Sequence, residues 1–146
     1  MGVDVSTEVL IERPVEDVAG YAGDPTNAPE WYVNIASVDW QTEPPVTVGS
    51  RMDFAARFLG RRLSYTYEVI ELDLPHRLVM RTAEGPFPME TSYEWTDAGE
   101  GRTRMTLRNR GEPSGFSSVA APMMAVAMRR ANTKDLARLK HLLESR

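Results

Sequence analysis

The sequence has no cysteine and only two histidines, His76 and His141. Without cysteine, the chain can form neither a disulfide nor a thiolate metal site, and it has no cysteine nucleophile. Two distant histidines do not make a histidine-rich metal centre. The sequence also contains no phosphate loop, dinucleotide fingerprint or Ser/His/Asp set. We therefore expect no metal ion and no cofactor.

An excess of basic residues and a long apolar run are also missing. The chain has 17 Lys and Arg against 21 Asp and Glu, a formal net charge of -4, which argues against a nucleic-acid partner. The longest apolar-rich run, residues 116–128, contains Pro122 and is too short to span a bilayer. The first residues lack the basic region and apolar core of a secretory signal. We expect a cytoplasmic monomer or homodimer without integral membrane association.

What is present is typical of one globular domain covering residues 1–146. Hydrophobic residues make up 42% and charged residues 26% of the chain. Alternating apolar residues predict a strand over Val3–Ile11. Pro14, as a first helical residue, and Gly23, as a stop signal, bracket a short helix, and residues 24–32 form a second one. Two short helices cannot enclose a core, so we interpret them as a cap on a larger element.

The remaining sequence changes from strands to a helix. From Ile35 to Pro113, segments of about ten residues alternate with turns, which predicts an antiparallel meander. Residues 116–146 carry apolar positions at helical spacing and predict one long C-terminal helix. The fold class is therefore α+β: a curved antiparallel β-sheet wrapped around a long helix. Such a pairing leaves a cavity unless large side chains fill the space.

The turns suggest a register for the sheet. A hairpin at Gly60–Arg61 would place Phe54 opposite Tyr67 and Met52 opposite Val69 on one apolar face. It would also place Asp53 opposite Glu68, and this unfavourable pair points to a shift of two residues, which preserves facing.

The next hairpins would place Tyr93 opposite Met105. They would put two charged rows on the solvent face, Arg81–Glu90–Arg108 and Arg77–Glu94–Arg104.

Four stretches carry a family resemblance across nearly the whole chain. They are the strand-to-helix opening at 11–18 followed by Tyr21, the short helix at 29–31, the strand entry at 48–51 and the closing helix at 136–144. With the order of one strand, two short helices, six strands and a long helix, they resemble the START-like or SRPBCC superfamily. Its fold is also called helix-grip or Bet v 1-like.

The resemblance implies a single START-like ligand-binding domain. It further implies a deep cavity between sheet and helix for an apolar or amphipathic small molecule. Members bind lipids, sterols, polyketides or hormones, and some are polyketide cyclases or dehydratases. The superfamily has no common catalytic motif to transfer, so the fold does not decide the reaction.

The candidate ligand-binding residues are aromatic, methionine or polar side chains on the predicted inner face, on the second short helix and on the first half of the long helix. Methionine adapts to irregular spaces and tyrosine is amphipathic, which suits an open apolar site; the alternative is ordinary core packing. The candidates are Trp31, Phe54, Tyr65, Tyr67, Met80, Met89, Tyr93, Met105, Leu107, Asn109, Met123, Met124 and Met128.

The candidate catalytic residues are Asp135, Tyr67 and Tyr93. Asp135 and Asn132 fall on the inward stripe of the long helix, where burial would raise the pKa of a carboxylate and make it a general base. Alternatively, Asp135 pairs with Arg138 or Arg13, or accepts a hydrogen bond from a loop.

We expect no basic cluster inside the cavity, with only Arg13 near its mouth, and therefore a preference for neutral ligands over phosphorylated ones. Three functions remain open. The chain is a binder of a hydrophobic small molecule, a polyketide cyclase or dehydratase, or a protein–protein adaptor. An enzyme needs polar groups that converge in the cavity, whereas an adaptor needs a filled cavity and an exposed apolar patch.

Overall fold

A computed structural model describes residues 2–85, 88–112 and 121–146. The first strand, β1 (Val3–Ile11), is followed by a helix, α1 (Val15–Ala22), a 3-10 turn (Pro25–Asn27) and a four-residue helix, α2 (Ala28–Trp31). Pro14 is the cap before α1 rather than its first helical residue, and Gly23 ends that helix as predicted. The side chain of Asp24 accepts a hydrogen bond from the Thr26 amide and begins the 3-10 turn.

The meander and the long helix follow in the predicted order. Their bounds are β2 (Ile35–Trp40), β3 (Arg51–Phe58), β4 (Arg61–Asp73), β5 (Arg77–Glu84), β6 (Met89–Gly99), β7 (Arg102–Gly111) and α3 (Ala121–Glu144). The first residues of the predicted long helix, 116–120, lie outside the described ranges. Within those ranges, no helix is both long enough and apolar enough to cross a membrane.

The described strands form one antiparallel seven-stranded sheet in the order β1-β7-β6-β5-β4-β3-β2. The sheet is curled, and α3 lies against its concave face. Two cations of α3 fix the helix to the edge strand, since Arg129 donates to the Ser6 carbonyl and Lys140 to the Leu10 carbonyl. The helix thereby covers an edge that would otherwise be open to another strand. The predicted α+β helix-grip fold is confirmed.

The β3–β4 hairpin has the two-residue shift that the charge conflict pointed to. Its turn is Leu59–Gly60, with φ of 51° and 77°, and Phe54 lies opposite Tyr65. Arg51 now lies opposite Glu68 and bonds to it at 2.9 Å, while Asp53 lies opposite Thr66. A shift of two residues changes partners but keeps every side chain on its face.

The β6–β7 pairing corrects the predicted partners in the same way. Tyr93 lies opposite Leu107 rather than Met105, and Glu90 lies opposite Arg110 rather than Arg108. The Gly99–Arg102 pair places the turn at Glu100–Gly101, and a one-residue bulge between Asp97 and Gly99 then brings the net shift to two residues, which preserves facing.

The charged rows nevertheless lie on the outer face. Arg77 pairs with Glu94, as predicted, and Arg110 pairs with Glu90. Arg108 instead bonds to Asp4 of β1, and Arg104 lies near Glu8. Glu90 and Glu94 therefore face away from α3, and the predicted facing is confirmed.

These exposed pairs should contribute little to stability. In a double-mutant cycle on Arg51 and Glu68, with alanine at each position, we expect a coupling energy below about 1 kcal/mol, reduced further by salt. Chemical denaturation of the wild type, the two single variants and the double variant measures this coupling energy. A coupling above about 2 kcal/mol would show that this pair is not the weakly interacting surface pair described here.

Among the described residues, two groups of buried side chains form the core. The larger one lies beneath α1, α2 and the second half of α3, and includes Trp31, Trp95, Met105 and Leu136. The smaller one joins Met124 and Met128 of α3 to Val3 and Val5 of β1. Residues from both groups border the space described next.

Candidate ligand cavity

A cavity lies between the concave face of the sheet and α3. About 120 Å³ of it is open to the centres of water-sized spheres. A single buried water needs only about 10–15 Å³ by this measure, so there is room for a ligand of several heavy atoms. Most of its wall is apolar and is formed by Ile35, Phe54, Ala56, Phe58, Leu63, Met80, Met89, Met128 and Ala131.

Three aromatic rings of β3 and β4 form one corner of the cavity. Phe54 stacks on Tyr65 with ring centroids 5.5 Å apart and an interplanar angle of 5°. Tyr67 meets Tyr65 edge-on at 5.0 Å and Phe54 edge-on at 5.5 Å. Their alternation along the strands places all three on the inner face, and edge-to-face packing holds their orientations.

The hydroxyl of Tyr67 belongs to a closed chain of hydrogen bonds. Thr91 donates to the side-chain oxygen of Asn109 at 2.6 Å, which uses the only hydroxyl proton of Thr91. Tyr67 must therefore donate to Thr91, also at 2.6 Å. Burial raises the pKa of Tyr67 to about 12, against a lowering by the Thr91 bond, so the phenol stays neutral at physiological pH.

A second pair of hydroxyls lines the cavity at Tyr32 and Tyr93. Their oxygens lie 2.6 Å apart. Burial raises the pKa of both phenols well above their ordinary value, and the charge of nearby Asp135 raises both further. Both groups are therefore neutral hydrogen-bond donors or acceptors and do not act as bases at physiological pH.

Asp135 is the only carboxylate among the described residues that line the cavity. It is 3% exposed, and its Oδ1 accepts a hydrogen bond from the Val33 amide at 2.9 Å. Burial raises its pKa to about 6, against the lowering effects of the Val33 amide and Arg138. Of the predicted alternatives for Asp135, the structure shows the hydrogen bond from a loop, because Arg138 donates to the Glu30 carbonyl instead.

Asn132 lies one turn before Asp135 on the same face of α3. The predicted inward orientation of both residues is confirmed, since Asn132 is 4% exposed. Its side-chain nitrogen is buried and has no hydrogen-bond partner among the described residues. A buried polar group of this kind costs free energy unless a ligand or a water satisfies it.

The structure brings eight of the thirteen predicted ligand-binding residues to the wall of this cavity. They come from five strands and the long helix, and they are Phe54, Tyr65, Tyr67, Met80, Met89, Tyr93, Asn109 and Met128. The three predicted catalytic candidates, Asp135, Tyr67 and Tyr93, also line it.

The other five predicted residues lie elsewhere. Trp31 of α2 and the inner-face residues Met105 and Leu107 are fully buried in the larger core group, where helices pack directly on the sheet. Met124 is buried against Val3 and Val5 and does not border the cavity. Met123 is 66% exposed, because one residue along a helix turns the side chain by about 100°.

Arg13 is not near the cavity mouth. Its guanidinium donates to the carbonyls of Glu144 and Arg146 at the end of the chain. Of the described lining residues, Arg57 is the cation, and its side chain is exposed.

Sequence reasoning missed Tyr32, Asn34, Ile35 and Leu63 as lining residues. Tyr32 follows a helix of four residues, which is too short to show a periodicity that distinguishes it from Trp31. Leu63 alternates with Tyr65 and Tyr67 along β4, and this alternation is the signal that places it on the inner face.

Comparisons with known proteins agree with this architecture. A search of curated protein sequences finds no significant match. Among solved structures, a START superfamily protein from Mycobacterium smegmatis is similar with a TM-score of 0.83 and 16% identity, covering 97% of each chain. The protein TTHA0849 from Thermus thermophilus has a TM-score of 0.80 and 22% identity, covering 94% of each chain.

A third similar structure is the Zhui aromatase/cyclase from Streptomyces sp. R1128, with a TM-score of 0.80 and 16% identity over 99% of this chain and 94% of that one. At these identities the structural likeness shows the fold alone. The family model described as polyketide cyclase / dehydrase and lipid transport matches residues 2–144. The chain therefore belongs to the polyketide cyclase/dehydrase and lipid transport family, within the START-like (SRPBCC) superfamily.

Proposed function

We propose that this protein binds a small molecule with an apolar body in the cavity between the sheet and α3. The observation that carries the proposal is the space itself. Large side chains surround it without filling it, and its wall is mostly apolar. A closed core would gain packing and burial energy by filling such a space. An apolar pocket with a few polar groups is the usual form of a small-molecule site.

The open cavity also favours a ligand over the adaptor function, which needs a filled cavity. Four exposed large apolar residues, Val33, Val48, Leu59 and Leu74, belong to four separate loops and turns, as is ordinary on a protein surface. Met123 and Val126 are also exposed and lie about one turn apart on α3, but two side chains make a small surface for an adaptor.

A second candidate function is that of a polyketide cyclase or dehydratase, and Asp135 favours it. A buried carboxylate with a pKa near 6 is suited to remove a proton from the carbon next to a ketone. A hydroxyl of Tyr32 or Tyr93 would then donate to the oxygen of the enolate that forms. The cavity wall holds no second carboxylate or histidine among the described residues to return the proton, which is why binding is the first proposal.

The enzyme function has its own test. If Asp135 is a catalytic base, Asp135→Asn should lower the turnover of a poly-keto thioester by roughly 10²-fold or more while binding persists. We expect the wild type to show no cyclisation above the uncatalysed rate. If the wild type turns the substrate over and this variant does not, the protein is an enzyme, and the proposal that it only binds its ligand is wrong.

The binding proposal predicts that protein purified from its own host retains a small molecule. Ala131 lines the cavity, and Ala131→Phe should fill part of it. Ala137 is exposed on the same helix, so Ala137→Phe is a matched control. Native mass spectrometry should show bound mass in the wild type and in Ala137→Phe but not in Ala131→Phe. Equal bound mass in all three would place the ligand outside this cavity.

A further inference from the structure

The two groups of hydroxyls in the cavity differ in how many protons they have left to donate. In the Tyr67–Thr91–Asn109 chain, both hydroxyl protons are used, because the chain ends on a side-chain oxygen. In the Tyr32–Tyr93 pair, two hydroxyls share one hydrogen bond. Each phenol has one proton, so one of the two protons is left over.

That remaining proton has no acceptor in the described part of the protein. The hydrogen bond between Tyr32 and Tyr93 is the only one that the structure gives either hydroxyl within the described ranges. Both residues line the cavity, and so does Asn132, whose buried side-chain nitrogen also has no partner there. The Tyr65 hydroxyl at the same wall has no hydrogen bond within the described ranges either, so three donors without partners border the same space. Buried donors are normally satisfied, so each points to an acceptor that the protein itself does not supply.

We propose that the Tyr32–Tyr93 pair donates its free proton to a carbonyl oxygen of a neutral ligand, with the amide of Asn132 as a further donor at the same site. This inference rests on the proposed function, because it names the ligand class of the same cavity. The ligand has an apolar body and a ketone, aldehyde or amide oxygen. A carboxylate or phosphate is disfavoured, because the only carboxylate of the described cavity wall, Asp135, lies close enough to act on both hydroxyls. Arg57 also borders the cavity, but its side chain is exposed, where solvent and salt screen its charge.

The test compares two neutral probes of nearly the same shape, 2-acetylnaphthalene and 2-isopropenylnaphthalene. They differ in that a carbonyl oxygen replaces a CH2 group. We expect the wild type to bind the ketone about fivefold to tenfold more tightly than the alkene, as one neutral hydrogen bond allows. In Tyr32→Phe/Tyr93→Phe, both hydroxyls are removed together, so no orphaned partner is left and the ratio of the two Kd values should fall at least about threefold, to the preference that the remaining donors supply. Isothermal titration calorimetry measures all four values.

Tyr21→Phe is the matched control for the loss of a tyrosine hydroxyl. The Tyr21 hydroxyl bonds to Glu30 and does not border the cavity, so this variant should keep the wild-type ratio of the two Kd values. An infrared spectrum of the bound ketone gives an answer that needs no variant. Its carbonyl stretch in the wild-type protein should lie below the value measured in cyclohexane, because a hydrogen bond weakens the C=O bond.

The outcomes separate this inference from the proposed function. If both probes bind the wild type equally and the carbonyl stretch is unshifted, the cavity binds apolar molecules but the tyrosine pair does not recognise an oxygen. If the double variant keeps the full wild-type ratio of the two Kd values, the donor is not this pair. If neither probe binds the wild type, both the inference and the proposed function are overturned.

Discussion

Asp135→Asn is expected to raise the free energy of unfolding by roughly 2–3 kcal/mol at about pH 8 and to change it little at about pH 4. Burial raises the pKa of Asp135 from 3.8 to about 6 in the folded protein. Between these two values the folded protein holds a proton that the unfolded chain has released. Wild-type stability therefore falls as the pH rises through this window. Asparagine avoids the buried charge and still offers an oxygen to the Val33 amide.

Chemical denaturation of both proteins at the two pH values measures this effect. Asp17→Asn is a matched control, because Asp17 is exposed on α1, and it should show no comparable gain at the higher pH. A destabilised Asp135→Asn variant, or a difference from wild type that does not depend on pH, would mean that the charge of Asp135 has a stabilising partner in the folded protein.

Met105→Ala is expected to lower the free energy of unfolding by about 2–5 kcal/mol, whereas Met89→Ala should cost only about 1 kcal/mol. Met105 is fully buried in the larger core group, so its removal leaves a new void. Met89 is half-buried and already borders the cavity, so its removal only enlarges an existing space. The two variants make the same chemical change in two places on the inner face.

Probe binding should show the opposite order. Met89→Ala should weaken the binding of 2-isopropenylnaphthalene by about fivefold through lost apolar contact, and Met105→Ala should leave it unchanged in the folded protein. Thermal denaturation and calorimetric titration give both quantities. If Met105→Ala weakened binding more than Met89→Ala did, the cavity would extend to Met105. The sequence-based prediction that Met105 contacts the ligand would then be correct.

The faces of the sheet were predictable from sequence, but the pairing across strands was not. The alternation of Phe54, Tyr65 and Tyr67 decides which face each side chain occupies, and a shift of two residues does not alter it. Partners depend on turn geometry, such as the positive φ of Leu59 or the bulge after Asp97. The Asp53–Glu68 conflict revealed one of these shifts because charge supplied a second constraint. No such conflict marked the pairing of Tyr93.

The extent of the cavity was harder to predict than its existence. Met80 and Met105 both face inward in apolar surroundings, and yet only Met80 borders the open space. The difference depends on where α3 and the short helices touch the sheet and where they stand away from it. That separation depends on the packing of many side chains and leaves no local periodic signal.

The rotation of about 100° per residue along a helix, by contrast, predicts side-chain orientations within α3 well. It placed Asn132 and Asp135 inward, where the structure has them. Residue type rather than helical phase favours Met123 as a cavity residue, and its exposure shows that this prediction is wrong. Tyr32 was missed because α2 contains too few residues to define a face.

The most direct test of the apolar cavity is a calorimetric titration of wild type, Ala131→Phe and Ala137→Phe with 2-isopropenylnaphthalene. This probe has no oxygen, so the result does not depend on the tyrosine pair. The account predicts one binding site with a negative heat-capacity change in the wild type and in Ala137→Phe, and a loss of affinity of at least about tenfold in Ala131→Phe. Equal binding by all three proteins, or no binding by the wild type, would contradict it.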